Sequence, residues 1–119
     1  MWSYEKRLQF PVNIKEPNAK LAQAIISQFG GPDGELAASM RYLSQRYATP
    51  YREVAGLLTD IGTEELAHLE MIGAIVHQLT RNLSMEEIEK SGFDKYYVDH
   101  TIGIWPQAAG GIPFNSCEF

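Results

Sequence analysis

The chain has 119 residues, 45% hydrophobic and 21% charged, with ten Lys and Arg against fifteen Asp and Glu for a net charge of −5. That is ordinary globular composition for at most one domain, long enough to bury a core without staples. Cys117 alone excludes an intrachain disulfide scaffold, the absence of any Lys/Arg run argues against nucleic acid, and no apolar stretch reaches the roughly 18 residues of a membrane span.

Residues 1–17 alternate loosely between apolar and polar and meet Pro11 and Pro17, which interrupt a regular helix; they are expected to form an extended arm. The first stretch, Met1 to Val12, lacks the apolar centre of a signal peptide, so a cytoplasmic chain is expected. Asn18 can cap a helix over AKLAQAIISQF, with Leu21, Ala24, Ile25 and Phe29 on its inward side. Gly30-Gly31 stops that helix. Pro32 and Asp33 are start signals for the next, which predicts a break near 30–32 and a second piece over DGELAASMRYLSQRYA. Leu36, Met40, Leu43 and Tyr47 form its apolar stripe.

From Tyr51 to about Thr80 the composition favours one long helix, which Gly56, Gly62 and Gly73 each weaken by about 1 kcal/mol relative to Ala unless packing compensates. Ser84-Met85-Glu86-Glu87 has the form of a capping box, predicting a short helix to Lys90 before Gly92. From Phe93 onward the glycines and prolines read as loop and tail. The whole is read as one all-α unit over 1–119, with a helical hairpin over 18–80 and a short helix and tail over 81–119.

Traced at alternating steps of four and three, the core stripe of the long helix runs Val54, Leu58, Ile61, Glu65, His68, Ile72, Ile75, Leu79. Glu65 and His68 interrupt an otherwise apolar line, one turn apart and on one face. A carboxylate and an imidazole in such a seam must be paired, coordinated or neutralised. They form either a buried hydrogen-bonded pair or a metal half-site. Glu-x-x-His on facing helices is the carboxylate dimetal pattern of ferritin-like bundles, in which other helices each add a further Glu. Glu35 is the candidate for that addition, and Tyr42 shares its face two turns on.

GGPDGELAASMRYLSQRY, then LLTDIGTEELAHLEMIGAIVHQL, then YYVDH, resembles the manganese catalase family, especially its short spore-coat relatives, from about Met1 to Pro113. The resemblance implies a ferritin-like four-helix bundle around two manganese ions that disproportionates hydrogen peroxide to water and oxygen. Carried over by position, it implies Glu35, Glu65 and His68 as metal ligands and Tyr42 as an outer-shell tyrosine at the cluster. Manganese is a hard cation suited to carboxylate, water and imidazole; iron in a site of the same form is an alternative that would favour iron oxidation. The family's pattern continues with another helix pair carrying a further Glu and a second Glu-x-x-His. This sequence holds half the ligand set. It is expected either to be a truncated member or to complete its bundle as a homodimer, in which two-fold symmetry supplies four Glu and two His. A coat structural protein with weak or no activity, associated with other spore-coat proteins and located in the coat, is a further reading. So is a di-iron ferritin-like oxidase.

Other titratable residues carry less. His77 falls opposite the cluster, Glu64 competes with Glu65 from outside the stripe, and Glu53, Asp60 and Glu70 read as solvated charges. His100 follows Asp99 in predicted loop, and Cys117 has no partner at metal spacing. Trp2, Tyr4, Phe10, Trp105, Phe114 and Phe119 are aromatics of the arm and tail that either meet a partner chain or cap their own hairpin. Gly30, Gly31 and Gly34 do not make a phosphate loop, since no Lys-Ser/Thr follows.

Overall fold

The computed structural model describes residues 5, 7–30 and 33–93. The expectations for Trp2, Tyr4, Pro32, and for His100, Trp105, Phe114, Cys117 and Phe119 in the tail lie outside the described residues. Within them the architecture is all-α: α1 Ala19–Ile25, running on into a 3-10 turn over Ile26–Gln28, then α2 Glu35–Gln45, α3 Arg52–Thr80 and α4 Met85–Ser91.

The arm runs along α3 before the first helix starts. Gln78 pairs with it as a strand neighbour would, accepting from the Ile14 amide at 2.7 Å and donating to the Val12 carbonyl at 2.8 Å. Arg81 donates to the Ile14 carbonyl, and the Asn18 amide donates to Leu79 O at 2.7 Å. These bonds satisfy backbone groups in a segment whose prolines forbid a helix of its own. Asn18 then caps α1 as its residue type predicts, its side-chain oxygen accepting from the Leu21 amide at 3.0 Å.

The inward face of α1 differs from the expected one. Ala19 and Ala22 are buried and Ile25 and Ile26 pack on the core, while Leu21 and Ala24 are exposed. Two alanines let the helix backbone approach α3 more closely than leucine at position 21 would allow, and that close fit sets the rotation. Phe29, at the end of the segment, lays its ring edge beside Gly73, where an added β-carbon would stand 3.2 Å away.

α2 begins later than the start signals suggest. Gly34 is its extended N-cap, and a β-carbon there would meet Gly30 O at 2.7 Å. Gly34 thus lies against the Gly30 carbonyl immediately before the helix starts. Its apolar stripe is also rotated: Leu36 is exposed, as are Met40 at 63% and Tyr47 at 80%, and only Leu43 of the four meets α3, at Gly62. The α3-facing line holds Glu35, Ser39 and Leu43. Small Ser39 against Gly62 brings the backbones close, a geometry the larger Met40 would block.

α3 spans 29 residues in nearly the predicted register. Its C-terminal half carries the core, where Val76 and Leu79 pack with Ala22 and Phe93 and are flanked by Ile14, Ile72, Ile75 and Ile88. Val54, expected in the seam, is exposed because α2 does not cover the first turn of α3. α4 forms on a complete capping box between Ser84 and Glu87 and ends at Gly92, whose φ of 81° is the left-handed conformation glycine adopts without strain.

Leu79→Ala is expected to destabilise the protein by about 3 kcal/mol, because it leaves a cavity in the small core, whereas Met40→Ala should cost less than about 0.5 kcal/mol; urea unfolding followed by circular dichroism measures both. A pH effect belongs to the α4 cap. The Ser84 amide and then its hydroxyl hold the Glu87 carboxyl below its ordinary value by bonding to the charged form. The cap therefore contributes fully above the ordinary glutamate range near about pH 4.3 and is lost as pH falls through the lower folded-state value. Amide exchange at 85–88 should accelerate below that range in the wild type, and Glu87→Gln should remove the pH dependence.

Candidate metal centre

α2 and α3 run antiparallel, joined through residues 46–51, so the first turn of α2 faces the middle of α3. Glu35 opens α2, where a carboxylate is favoured by the helix dipole. Glu65 and His68 project from one turn of α3 toward it. His68 Nδ1 lies 3.0 Å from Glu65 Oε2 and 3.6 Å from Glu35 Oε2. One ligand atom from each of the three residues falls within 4.8 Å of the others. Their side chains are partly screened, Glu65 at 15%, Glu35 at 26% and His68 at 37% exposure.

The two carboxyls perturb one another in opposite directions. Glu35 is raised, first by its hydrogen bond with Glu65, then by loss of water and by the Glu65 charge, with His68 opposing. Glu65 is lowered, first by the hydrogen bond from Glu35 and further by His68. Two carboxyls this close do not titrate independently, and Glu35 is the more easily protonated of the two.

The geometry bears on both sequence readings of Glu65 and His68. A buried hydrogen-bonded pair needs only those two groups, and their 3.0 Å contact is present. It does not need the second carboxyl that converges on it from α2. Two carboxylates with one imidazole have the charge and donor types of a divalent-cation site. Their spacing suits one as well: atoms sharing an octahedral cation with bonds of about 2.1 Å lie about 3 to 4.2 Å apart.

The other candidates stay outside the cluster. Glu64 is exposed and accepts from Gln9 Nε2 at 3.1 Å, which removes it from competition with Glu65. His77 is exposed in the last turn of α3, Glu53 and Asp60 are exposed, and Glu70 is half-buried away from the three ligating groups. Tyr42 is half-buried, two turns from Glu35 on the same face of α2. The sequence reading overlooked Ser39, a buried polar residue whose hydroxyl donates to Gly62 O at 2.7 Å beside the site. The available signal was a small residue one turn from a ligand on each of the two helices.

Residues 1–116 match the family described as manganese containing catalase. The chain belongs to the manganese catalase family. It is 50% identical over 116 residues to Protein CotJC of Bacillus subtilis strain 168, covering 98% of this chain and 61% of that protein. A manganese catalase of Bacillus subtilis is 28% identical over 128 residues, covering 97% of this chain and 47% of its own length. The crystal structure of KatB, a manganese catalase from Anabaena PCC7120, superposes with a TM-score of 0.70 at 30% identity over 98% of this chain and 52% of that one. The chain thus spans about half to three fifths of the length of these relatives. The shared fold gives the α2–α3 hairpin of this manganese catalase family member a ferritin-like context, and the family implies manganese as the metal suited to its two carboxylates and imidazole.

Glu35→Gln removes the carboxyl pair while keeping its volume. The metal-free protein should be no less stable, with a gain of about 0.5 kcal/mol, while its affinity for Mn²⁺ should fall at least tenfold. Thermal melts of metal-free protein and equilibrium dialysis with Mn²⁺ measure the two effects.

Proposed function

We propose that this chain supplies half of a dimanganese centre that disproportionates hydrogen peroxide to water and oxygen, with Glu35, Glu65 and His68 as metal ligands. The observation that carries the reading is the convergence of these three groups within 4.8 Å in a chain that matches the manganese catalase family over 1–116. Two manganese ions, when bound, supply the two-electron redox cycle that turns two peroxides into two waters and one oxygen.

The residues of this chain bind and orient. Glu35 and Glu65 give hard oxygen donors, and His68 gives an imidazole nitrogen. His68 Nδ1, which lies at hydrogen-bond distance from Glu65, yields any proton it carries when it becomes a ligand, and so does Glu35, the more easily protonated of the two carboxyls. Glu65 is held to His68 by the one-turn spacing within α3, so the two move as a unit. Tyr42, half-buried on the face of Glu35, serves as the outer-shell group that orients ligands by hydrogen bonding.

The second half of the centre, in this proposal, comes from a second copy of the chain. A two-fold axis doubles Glu35, Glu65 and His68 into four Glu and two His, the dimetal complement of ferritin-like bundles. The uncovered apolar side chains of α2 and α3, Leu36, Met40, Val54 and Leu57, support a helical partner. On this reading residues 1–119 form one ferritin-like half-domain. A second reading is favoured by the higher identity to Protein CotJC, 50%, than to the Bacillus subtilis catalase, 28%. In it the bundle packs within a spore coat and turnover is weak or lost. Nothing in the donor set favours iron over manganese.

The full chain loaded with Mn²⁺ should sediment as a dimer with two manganese per dimer and release oxygen from peroxide. Glu65→Ala and His68→Ala should each lower bound manganese several-fold and abolish oxygen release, as read by metal analysis and an oxygen electrode. Wild-type manganese content in both variants would place the site elsewhere; manganese-loaded dimers without oxygen release would favour the structural reading; a manganese-loaded species that stays monomeric would refute completion by a second copy.

A further inference from the structure

Ser39 is a poor choice for helix formation, since alanine is the better helix former and a serine hydroxyl competes for backbone bonds. Within the same helix Ser44 does what a helical serine ordinarily does, donating back to the carbonyl four residues earlier, Met40 O, at 2.7 Å. Ser39 does not. It is 2% exposed, and its hydroxyl crosses to the other helix and donates to Gly62 O at 2.7 Å. That carbonyl has a second lone pair beyond the one used within α3. The bond forms only where the two helices nearly touch.

Gly62 fixes the same approach from the other side. A β-carbon there would stand 2.7 and 2.8 Å from Leu43 Cγ and Cδ2 and 3.2 Å from the Leu43 backbone nitrogen. Leucine could shift its side chain, but the nearby backbone nitrogen moves only with α2 itself. Ser39 lies one turn after Glu35, about 6 Å along α2, and Gly62 lies one turn before Glu65, about 4.5 Å along α3. The contact therefore flanks the ligand cluster on both helices.

The ligand distances divide according to whether they depend on that gap. The 3.0 Å contact between His68 and Glu65 lies within α3 and is set by helix geometry alone. The 3.6 Å contact between His68 and Glu35 crosses the interface and lengthens directly if the helices separate. We infer that Ser39 and Gly62 are positioning residues that set the α2–α3 gap and thereby hold Glu35 in reach of a metal ion bound by Glu65 and His68. The inference rests on the metal-site reading of those three residues. It assigns to Ser39 and Gly62 no contact with metal or peroxide; their effect passes through Glu35.

A double-mutant cycle with Mn²⁺ tests it, using the six-line electron paramagnetic resonance signal of free Mn²⁺ to measure binding by the full chain. Gly62→Ala is expected to weaken Mn²⁺ binding about tenfold and Ser39→Ala about threefold, with helicity retained by circular dichroism. Both effects should vanish in a Glu35→Gln background, because the ligand they position is already gone. Gly56→Ala, on α3 where an added β-carbon meets nothing within 4 Å, should leave affinity unchanged. Unchanged affinity in Ser39→Ala and Gly62→Ala overturns the inference. So does further weakening of the same size in the Glu35→Gln background, which would mean general loosening of the fold. If Gly62→Ala does not fold, Ser39→Ala, which adds no atoms, decides alone. A wild-type chain that takes up no Mn²⁺, or uptake that survives both Glu65→Ala and His68→Ala, removes the metal-site reading itself and this inference with it.

Discussion

Two carboxyl groups and an imidazole share one space between α2 and α3, and most of the remaining structure can be understood as what makes that tolerable. Each group would be costly in an apolar seam without a partner. Here they partner each other, with Glu65 in contact with His68 at 3.0 Å and Glu35 Oε2 3.6 Å from the same imidazole nitrogen. The requirement also explains the composition of the α2 face that meets α3. Glu35 and Ser39 lie on it together with a single large apolar residue, Leu43, so α2 contributes little hydrophobic burial where the ligands stand.

Stability is consequently supplied at the other end of α3. The packed core of Ala22, Val76, Leu79 and Phe93 meets α3 about 12 to 16 Å along the helix from His68, at 1.5 Å per residue. It draws on α1, α4 and the arm, which the Gln78 amide and Arg81 bind to α3. An anchored helix can then carry polar groups in its middle turns without losing its place. This separation of a stabilising end from a chemical middle is also consistent with the break between α1 and α2. The 3-10 turn ends the first segment and Gly34, packed on Gly30, opens α2, so that α1 serves the core and α2 carries Glu35.

Much of this was legible in the sequence because it depends on local chemistry. The long helix, the Asn18 cap, the capping box at Ser84 and the pairing of Glu65 with His68 each follow from a few neighbouring residues, and the structure has them. The faces of α1 and α2 were misread for a common reason. Hydrophobic periodicity identifies a stripe of large apolar residues, but Leu21, Leu36 and Met40 are exposed while Ala19, Ala22 and Ser39 are buried. Close helix approach selects small residues, and smallness carries no periodic hydrophobic signal. The orientation of Glu35, which the apolar stripe of α2 left to one side, follows from the same correction: once Ser39 faces α3, Glu35 one turn earlier must face it too. That ligand geometry was fixed by packing between helices, which no local reading of α2 contains.

The raised Glu35 carboxyl links the metal-free fold to the proposed chemistry. With both carboxyls ionised and His68 neutral, the cluster would carry two negative charges in a partly screened space, and a compact hairpin would resist closing around them. Protonation of a carboxyl, easier at Glu35, removes one of those charges and lets the helices pack with the three groups near one another. A divalent cation entering the cluster would displace any such proton and neutralise both carboxylates. The apolar contacts that hold α3 in place lie elsewhere and need not change. In the proposed function the cation takes over that neutralisation, and because the three groups come from two helices, the separation of those helices is the variable that matters most.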